Sequence, residues 1–361
     1  MIDLFSPLEL GPYALPNRIF MAPLTRCRAR PDGVPVPMMA TYYQQRATAG
    51  LILSEATCIA PEAVGYPNVP GLWSDAQVTG WRPVTDAVHA AGGRIFAQLW
   101  HVGRVSHPCY QPNGALPVAP SAIACPGKTH TPSGDQPRPV PRALETDEVP
   151  AIIEQYRRAA ANALSAGFDG VELHGANGYL PDQFLRSATN QRTDRYGGSI
   201  ENRARFHLDA TRALIAVCGA ERVGVKLSPS GVFNGMSDAD PIATFSYVIR
   251  ELNKLGIAFL HVTEAMESDI KHGATNFPVA TFRPLFDRVL ITNAGFSFEK
   301  AQRYLSEGAA DAVAFGVLFI ANPDLPRRFR EDAPLNQPDP TTFYSSGAHG
   351  YIDYPALSSN P

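Results

Sequence analysis

No run of apolar residues in this 361-residue chain approaches the ~20 that a membrane-spanning helix needs, so the sequence offers no transmembrane segment. Blocks of like charge and low-complexity tracts are also missing, which excludes polybasic arms and solvating acidic tails. Charge is sparse altogether. Only 18% of residues are charged and the formal net charge is -3, leaving no electrostatic case for a nucleic-acid or membrane-surface partner. Cysteine is scarce too: Cys27, Cys58, Cys109, Cys125 and Cys218 form an odd, scattered set without a CxxC. Neither a disulfide framework nor a zinc site follows from that spacing, and reduced, mostly buried thiols are expected. The first ten residues, MIDLFSPLEL, combine no basic start with an apolar stretch, and a cytoplasmic location is expected. What is abundant is apolar residues, at 45%, enough to bury a large core in one big α/β domain or two smaller ones.

Short apolar or alternating runs recur along the chain. They are 19–24 (IFMAPL), 51–57 (LILSEAT), 94–100 (RIFAQLW), 168–174 (FDGVELH), 223–228 (VGVKLS), 259–264 (FLHVTE), 289–293 (VLITN) and 312–316 (AVAFG). Helical patterns lie between them. Val149, Ile152, Ile153, Tyr156, Ala160, Ala163 and Leu164 form one stripe, closed by Gly167. Ser199 caps a helix reaching about residue 218, Asp240-Pro241 opens another, and Ser297 and Gly308 bracket a fourth. Eight strand-then-helix units predict a closed (β/α)8 TIM barrel, α/β in class, rather than an open doubly wound sheet.

Residues 1–361 are therefore read as a single domain with three additions. Residues 1–18, with the turn LGPYALPN, predict a hairpin closing the barrel bottom. Residues 102–146 follow the third strand, are rich in Pro, Gly and Ser, and are too long for an ordinary βα loop; they predict a lid over the top face. Residues 331–361 form a tail too aromatic for a disordered linker and are expected at the active-site rim.

Strand parity gives the stretch VELHGANGYL (171–180) its place. Val171 and Leu173 share one face, Glu172 and His174 the other. If the apolar pair packs on the helices, His174 points inward at the strand's C-terminal end, where barrel enzymes carry their chemistry. The same parity turns Lys226 inward and aligns Gln98 with Trp100, so Gln98, His174 and Lys226 are expected near one mouth. Each such polar group needs a partner or costs free energy. A metal site is disfavoured, because asparagine is a poor zinc ligand and no second histidine is suitably spaced. Two readings stay open: a satisfied barrel histidine beside a simple Asn177-Gly178 turn, or a pair of donors for a carbonyl or nitro oxygen with Tyr179 as general acid.

The string HGANGYLPDQFLRSATNQRTDRYGGSIENRARF starting at His174, with MAPLTRCRA (21–29), LSEAT (53–57), FAQLWHVGR (96–104), LSPSGVFN (227–234), GVLFIANPDL (316–325) and GYIDYPAL (350–357), closely resembles the old yellow enzyme family of FMN-dependent ene-reductases. The likeness runs from about residue 3 to 357, in the family's order. It implies that Pro23, Leu24 and Thr25 lie along the flavin and that Ala56 and Gln98 contact its polar edge. Asn293, Gly295, Gly316 and Val317 complete the cofactor set. It further implies that His174 and Asn177 bind the substrate oxygen, that Tyr179 donates the proton, and that Tyr66, Trp100, Phe233 and Tyr351 form an aromatic wall. Those aromatics have the alternative of simply packing the lid. The implied reaction passes hydride from NADPH or NADH through FMN to Cβ of an activated alkene (an α,β-unsaturated aldehyde or ketone, a maleimide or a nitroalkene) in a ping-pong cycle. No Rossmann fingerprint is needed or present, and a monomer or homodimer without other macromolecular partners is expected.

Two positions depart from the family pattern. Lys226 stands where relatives carry arginine; it keeps the positive charge beside the flavin but loses the planar fork. Val317 follows Gly316 where relatives carry an arginine on the FMN phosphate. Backbone N–H groups near Gly295, Gly316 and Val317 can still hold a phosphate. One charge-assisted contact disappears, worth on the order of 1.5 to 3 kcal/mol, or roughly ten- to over a hundredfold in affinity. Looser FMN binding than is usual for the family is expected. Two rivals remain: a flavin-independent phosphate-binding barrel enzyme, and a family member that has lost its flavin for a non-redox role.

Overall fold

The computed structural model describes residues 2–271 and 273–358. Met1 of the expected hairpin segment and residues 359–361 of the expected tail lie outside the described residues. A hairpin opens the chain, β1 (Leu8–Leu10) against β2 (Tyr13–Leu15). Its turn uses Gly11 at φ +54°, where an added Cβ would lie 2.1 Å from the Glu221 carbonyl oxygen, so no side chain fits. In order follow β3 (Ile19–Met21), α1 (Pro37–Gln44), β4 (Ile52–Leu53), β5 (Thr57–Cys58), α2 (Asp75–Ala90) and β6 (Ile95–Trp100). The insertion carries β7 (Val118–Ala119), β8 (Lys128–Thr131), β9 (Gly134–Pro137) and β10 (Arg142–Ala143). Then come α3 (Val149–Ser165), β11 (Gly170–His174), α4 (Leu180–Leu185), α5 (Ile200–Cys218), β12 (Val223–Leu227), α6 (Pro241–Leu255) and β13 (Phe259–Thr263). The chain continues with α7 (Glu267–Lys271), β14 (Val289–Asn293), α8 (Phe298–Ser306), β15 (Ala312–Phe315), α9 (Val317–Ala321) and α10 (Leu325–Arg330).

Parallel pairing runs β3, β4, β6, β11, β12, β13, β14, β15 and returns to β3, which closes an eight-stave (β/α)8 barrel. The local signals act as expected at the helix ends: Ser199, Asp240 and Ser297 each accept a hydrogen bond from the backbone three residues on, and Gly167 takes φ +89°. One stave differs from its reading as a continuous strand over 51–57. It is broken into β4 and β5, with Leu53 opposite Phe96 but Thr57 opposite Leu99. Four residues thus match three, and the extra residue bulges the strand at Ser54–Ala56, below the mouth.

Inside the barrel, Phe20, Leu53, Phe96, Phe259 and Ile291 pack with Leu8, Leu10 and Leu15 of the hairpin. The bottom is therefore sealed by apolar side chains, and polar inward positions occur only above that layer. Val171, Leu173, Val225 and Leu227 instead join the larger core between staves and helices. That division fixes which strand faces look inward, and it leaves the open end of the barrel to the βα loops.

Candidate active site

Four side chains meet at the C-terminal ends of β6 and β11. The Trp100 indole lies nearly parallel to His174, with ring centroids 6.3 Å apart and planes 17° apart. Tyr66 also stacks on Trp100, at 5.3 Å, while Tyr179 stands edge-on to both Trp100 and His174 at 4.9 Å. The Tyr66 and Tyr179 hydroxyls are 3.2 Å apart. All four are aromatic and three are buried, so the cluster is held mainly by ring packing.

The turn that carries Asn177 is built by its neighbours. Asn177 and Gly178 both adopt left-handed backbone, at φ +59° and +77°. The Asn177 N–H donates to Ser228 Oγ at 2.8 Å, and Asn234 Nδ2 donates to the Asn177 carbonyl at 2.9 Å. Gly178 donates to Asp182 Oδ2 at 2.9 Å, and Asp182 pairs with Arg186 inside the fold. A Cβ on Gly178 would meet Asn234 and Met236 at 2.8 Å, so the loop after β12 presses directly on this turn. With its backbone so tied, the Asn177 amide forms no intramolecular hydrogen bond among the described residues and is left for a ligand.

Below the aromatic cluster lies a buried polar chain. Gln98 Nε2 donates to Glu172 at 2.6 Å, and the other Glu172 oxygen lies 2.8 Å from His261 Nδ1. Lys226, opposite His174 across the β11–β12 pair, is buried with no ion pair within 4 Å among the described residues; desolvation holds its pKa below the ordinary lysine value despite the opposing charge of Glu172. Burial, then the charge of Lys226, then His261, hold His174 well below the ordinary histidine range. It is therefore a neutral imidazole at neutral pH. His174 Nδ1 and Trp100 Nε1 are buried with no partner among the described residues, a costly state. Gln98 and Lys226 thus occupy the inward positions that parity assigned. Glu172 and His261 were not among the expected site residues, although the same parity places both inward.

A cavity of about 250 Å³ opens where β3, β14 and β15 end. Pro23, Leu24, Asn293, Gly295, Gly316 and Val317 all line it, so six positions from distant parts of the sequence share one wall. The β14 exit is unusual: Ala294 sits at φ +99° before Gly295 at +62°. A left-handed non-glycine residue is strained, and such strain concentrates at functional turns. Val317 is 48% exposed here, and no arginine or lysine lines this cavity. Thr25 and Ala56 sit on the neighbouring staves, Thr25 just past β3 and Ala56 in the bulge before β5.

The fit to a flavin is therefore chemical as well as positional. Aliphatic Pro23 and Leu24 would suit a flat ring, Gln98 and Lys226 would offer polar contacts to its edge, and the glycine-rich ends of β14 and β15 would leave room for a ribityl phosphate. No group of three or more potential metal ligands occurs among the described residues.

One expected site residue is corrected. Tyr351 does not line the mouth: it is fully buried, stacked on Tyr42 at 4.1 Å, and flanked by Arg26 and Arg28. The cause is the tail's anchoring. Arg26 donates to the Phe343 and Gly350 carbonyls and Arg28 to those of Thr342 and Phe343, which draws the 350–351 turn behind β3. Tyr344, 68% exposed, instead lies close enough to raise the pKa values of both Tyr66 and Tyr179. It was missed because FYSSGAHGY holds two tyrosines and nothing local says which one turns in. Phe233 is 58% exposed on the rim, its carbonyl against Gly178. Over the mouth, Arg138 of the insertion donates to Asn234 Oδ1 at 3.1 Å and lowers both phenol pKa values.

Comparison with known proteins gives consistent matches over nearly the whole chain. Residues 3–336 match the family model described as NADH:flavin oxidoreductase / NADH oxidase family. Rice (Oryza sativa subsp. japonica) 12-oxophytodienoate reductase 1 is 46% identical over 366 residues, covering 99% of this chain and 93% of the relative. A probable flavin mononucleotide-dependent alkene reductase of Leishmania infantum is 46% identical over 359 residues, covering 98% and 97%. Among solved structures, morphinone reductase in complex with tetrahydroNAD superposes with a TM-score of 0.93 at 51% identity, covering 99% and 98% of the two chains. The old yellow enzyme homologue from Zymomonas mobilis gives 0.95 at 50% identity, covering 99% and 100%.

Proposed function

Because the chain belongs to the NADH:flavin oxidoreductase / NADH oxidase family, that of old yellow enzyme, we propose that the Tyr66–Trp100–His174–Tyr179 cluster is its ene-reductase active site. The protein is an FMN-dependent oxidoreductase that uses NAD(P)H to reduce the C=C bond of activated alkenes. The observation that carries the site assignment is the meeting of His174 and Asn177, whose side chains make no hydrogen bond among the described residues, with a buried phenol at Tyr179. FMN, when bound, supplies the hydride-transfer chemistry between the nicotinamide and the alkene.

The chain's own residues do the rest. Pro23, Leu24 and Thr25 would lie along the flavin, with Ala56, Gln98 and Lys226 at its polar edge. Asn293, Gly295, Gly316 and Val317 would hold its phosphate end. His174 and Asn177 donate to the carbonyl or nitro oxygen of the alkene and draw electron density from Cβ, which makes that carbon the hydride acceptor. Neutral His174 suits this task, since its ring N–H donates without a full charge having to be desolvated. Tyr179 gives its phenolic proton to Cα. Burial raises its pKa well above the ordinary tyrosine value, so the proton is present throughout the neutral range. Trp100, Tyr66, Tyr344 and Phe233 bound the substrate space and orient the alkene.

Residues 1–361 act as one unit in this reading, with hairpin, lid and tail added to a single barrel. The substrates are small activated alkenes. The working form is a monomer or homodimer in the cytoplasm, where the five cysteines, all free, stay reduced. A visible spectrum tests the whole reading: flavin bands should bleach with NADPH or NADH and return on adding 2-cyclohexenone, a maleimide or a nitroalkene. A protein that takes up FMN but is not reoxidised by any of these contradicts it.

A further inference from the structure

We propose that Tyr66 is a positioning residue that resupplies the Tyr179 proton, passing its own hydroxyl proton across the 3.2 Å contact after Tyr179 has protonated the substrate. The inference rests on the active-site reading above. Tyr179 is 8% exposed, and Tyr66 is the hydrogen-bond partner of its hydroxyl among the described residues. A buried acid that is consumed in every turnover needs a route back to solvent. Tyr66 is less buried than Tyr179, which makes it the neighbouring group through which a proton can come from the solvent side.

The geometry keeps that route in register. Both tyrosine rings are indexed to the same indole, Tyr66 stacked on Trp100 and Tyr179 edge-on to it. The backbone just before Tyr66 is pinned to the insertion, because Ser106 Oγ and Gln111 Nε2 donate to the Val64 carbonyl at 2.7 and 2.9 Å. Gly65 has no room for a side chain, its added Cβ falling 2.2 Å from the Val105 carbonyl oxygen. Burial raises both phenols, so both hold their protons at rest, and either hydroxyl can donate across the contact. Arg138 faces the pair and stabilises the transient phenolates; His174, edge-on to Tyr179 at 4.9 Å, and Cys125 and Tyr344 are the other titratable groups nearby among the described residues.

The steps balance. The Tyr179 O–H bond breaks as a C–H bond forms at Cα; the Tyr179 phenolate takes the Tyr66 proton; and the Tyr66 phenolate takes a proton from water, leaving hydroxide to the buffer. No electrons move in the relay.

The test is Tyr66→Phe in the flavin-loaded enzyme, with Tyr179→Phe alongside, in stopped flow with 2-cyclohexenone in H2O and D2O. The ring packing survives the substitution, and the first turnover starts from a protonated Tyr179. Its rate reports any loss of substrate orientation alone; steady-state kcat should fall about tenfold beyond that, and its solvent isotope effect should grow. Tyr66→His, which can carry a proton, should recover most of kcat. If first turnover and kcat fall by the same factor, or if neither changes, Tyr66 resupplies no proton. If instead Tyr179→Phe reoxidises at the wild-type rate, the assignment of Tyr179 itself fails, and this is separable from the Tyr66 result.

Discussion

Gln98 donates through Nε2 to Glu172 at 2.6 Å, with both side chains buried at the centre of the barrel. The bond fixes the Gln98 amide in one orientation. Glu172 also faces His261 and is the charge that favours the ammonium form of Lys226. Glu172→Gln removes that charge and leaves a desolvated lysine without compensation. The expected outcome is a loss of about 1–3 kcal/mol in stability together with flavin-poor protein, read from urea unfolding and from the ratio of flavin to protein absorbance. Unchanged stability and full flavin content would show that the chain from Gln98 to His261 is not supporting the site.

Tyr179→Phe should separate the two half-reactions. Flavin reduction by NADPH is expected within about twofold of the wild type, whereas reoxidation by an enone should slow by about 10²-fold or more. Rapid-mixing absorbance follows both. Equal losses in the two halves would argue against a proton-donor role.

His174→Ala and Asn177→Ala each remove one donor to the substrate oxygen. The kcat/KM for the alkene should drop by about 10²-fold in each case, and the double variant should lose less than the product, because both donors serve one oxygen. Steady-state kinetics at saturating NADPH checks this; strictly additive free-energy losses would place the two side chains on different groups.

Val317 leaves the cavity between β14 and β15 without a cation. FMN should therefore be retained less tightly than is usual for the family, with Val317→Arg tightening it by about ten- to a hundredfold. Titration of apoprotein with FMN, followed by flavin fluorescence, measures the change. A wild-type protein that stays fully yellow through prolonged dialysis contradicts the expectation.

Glu55 lies buried in the bulge, where its carboxylate accepts from the Arg26 backbone N–H at 3.4 Å and from Tyr43 Oη at 3.2 Å. Burial outweighs those contacts and raises its pKa to about 7. A carboxyl raised in the folded state stabilises fully below its ordinary value of 4.5, and that contribution is lost as pH rises through about 7. The loss is on the order of 3 kcal/mol by pH 8. Thermal melts of wild type and Glu55→Gln should therefore diverge in favour of the variant between pH 5 and pH 8. Parallel pH profiles would mean that Glu55 does not titrate in this range.

Local rules reached far into this protein. Alternation and helix caps act over two to four residues, and they were enough to mark eight strand–helix units and to turn Gln98, His174 and Lys226 inward, because a strand's side-chain period does not depend on its partners. The motif around His174 supplied the chemistry. What only the tertiary structure decided are relationships between segments far apart in the chain. The one-residue bulge at Ser54–Ala56 exists only relative to β6. The Gln98–Glu172–His261 chain spans three staves whose register is set by barrel closure. Tyr66 meets Tyr179 across 113 residues because both pack on Trp100. The tail offers Tyr344 to the mouth, not Tyr351, because Arg26 and Arg28 hold its carbonyls behind β3. Periodicity assigns each side chain to a face; which side chains touch depends on the packing of loops and on where buried charges find partners.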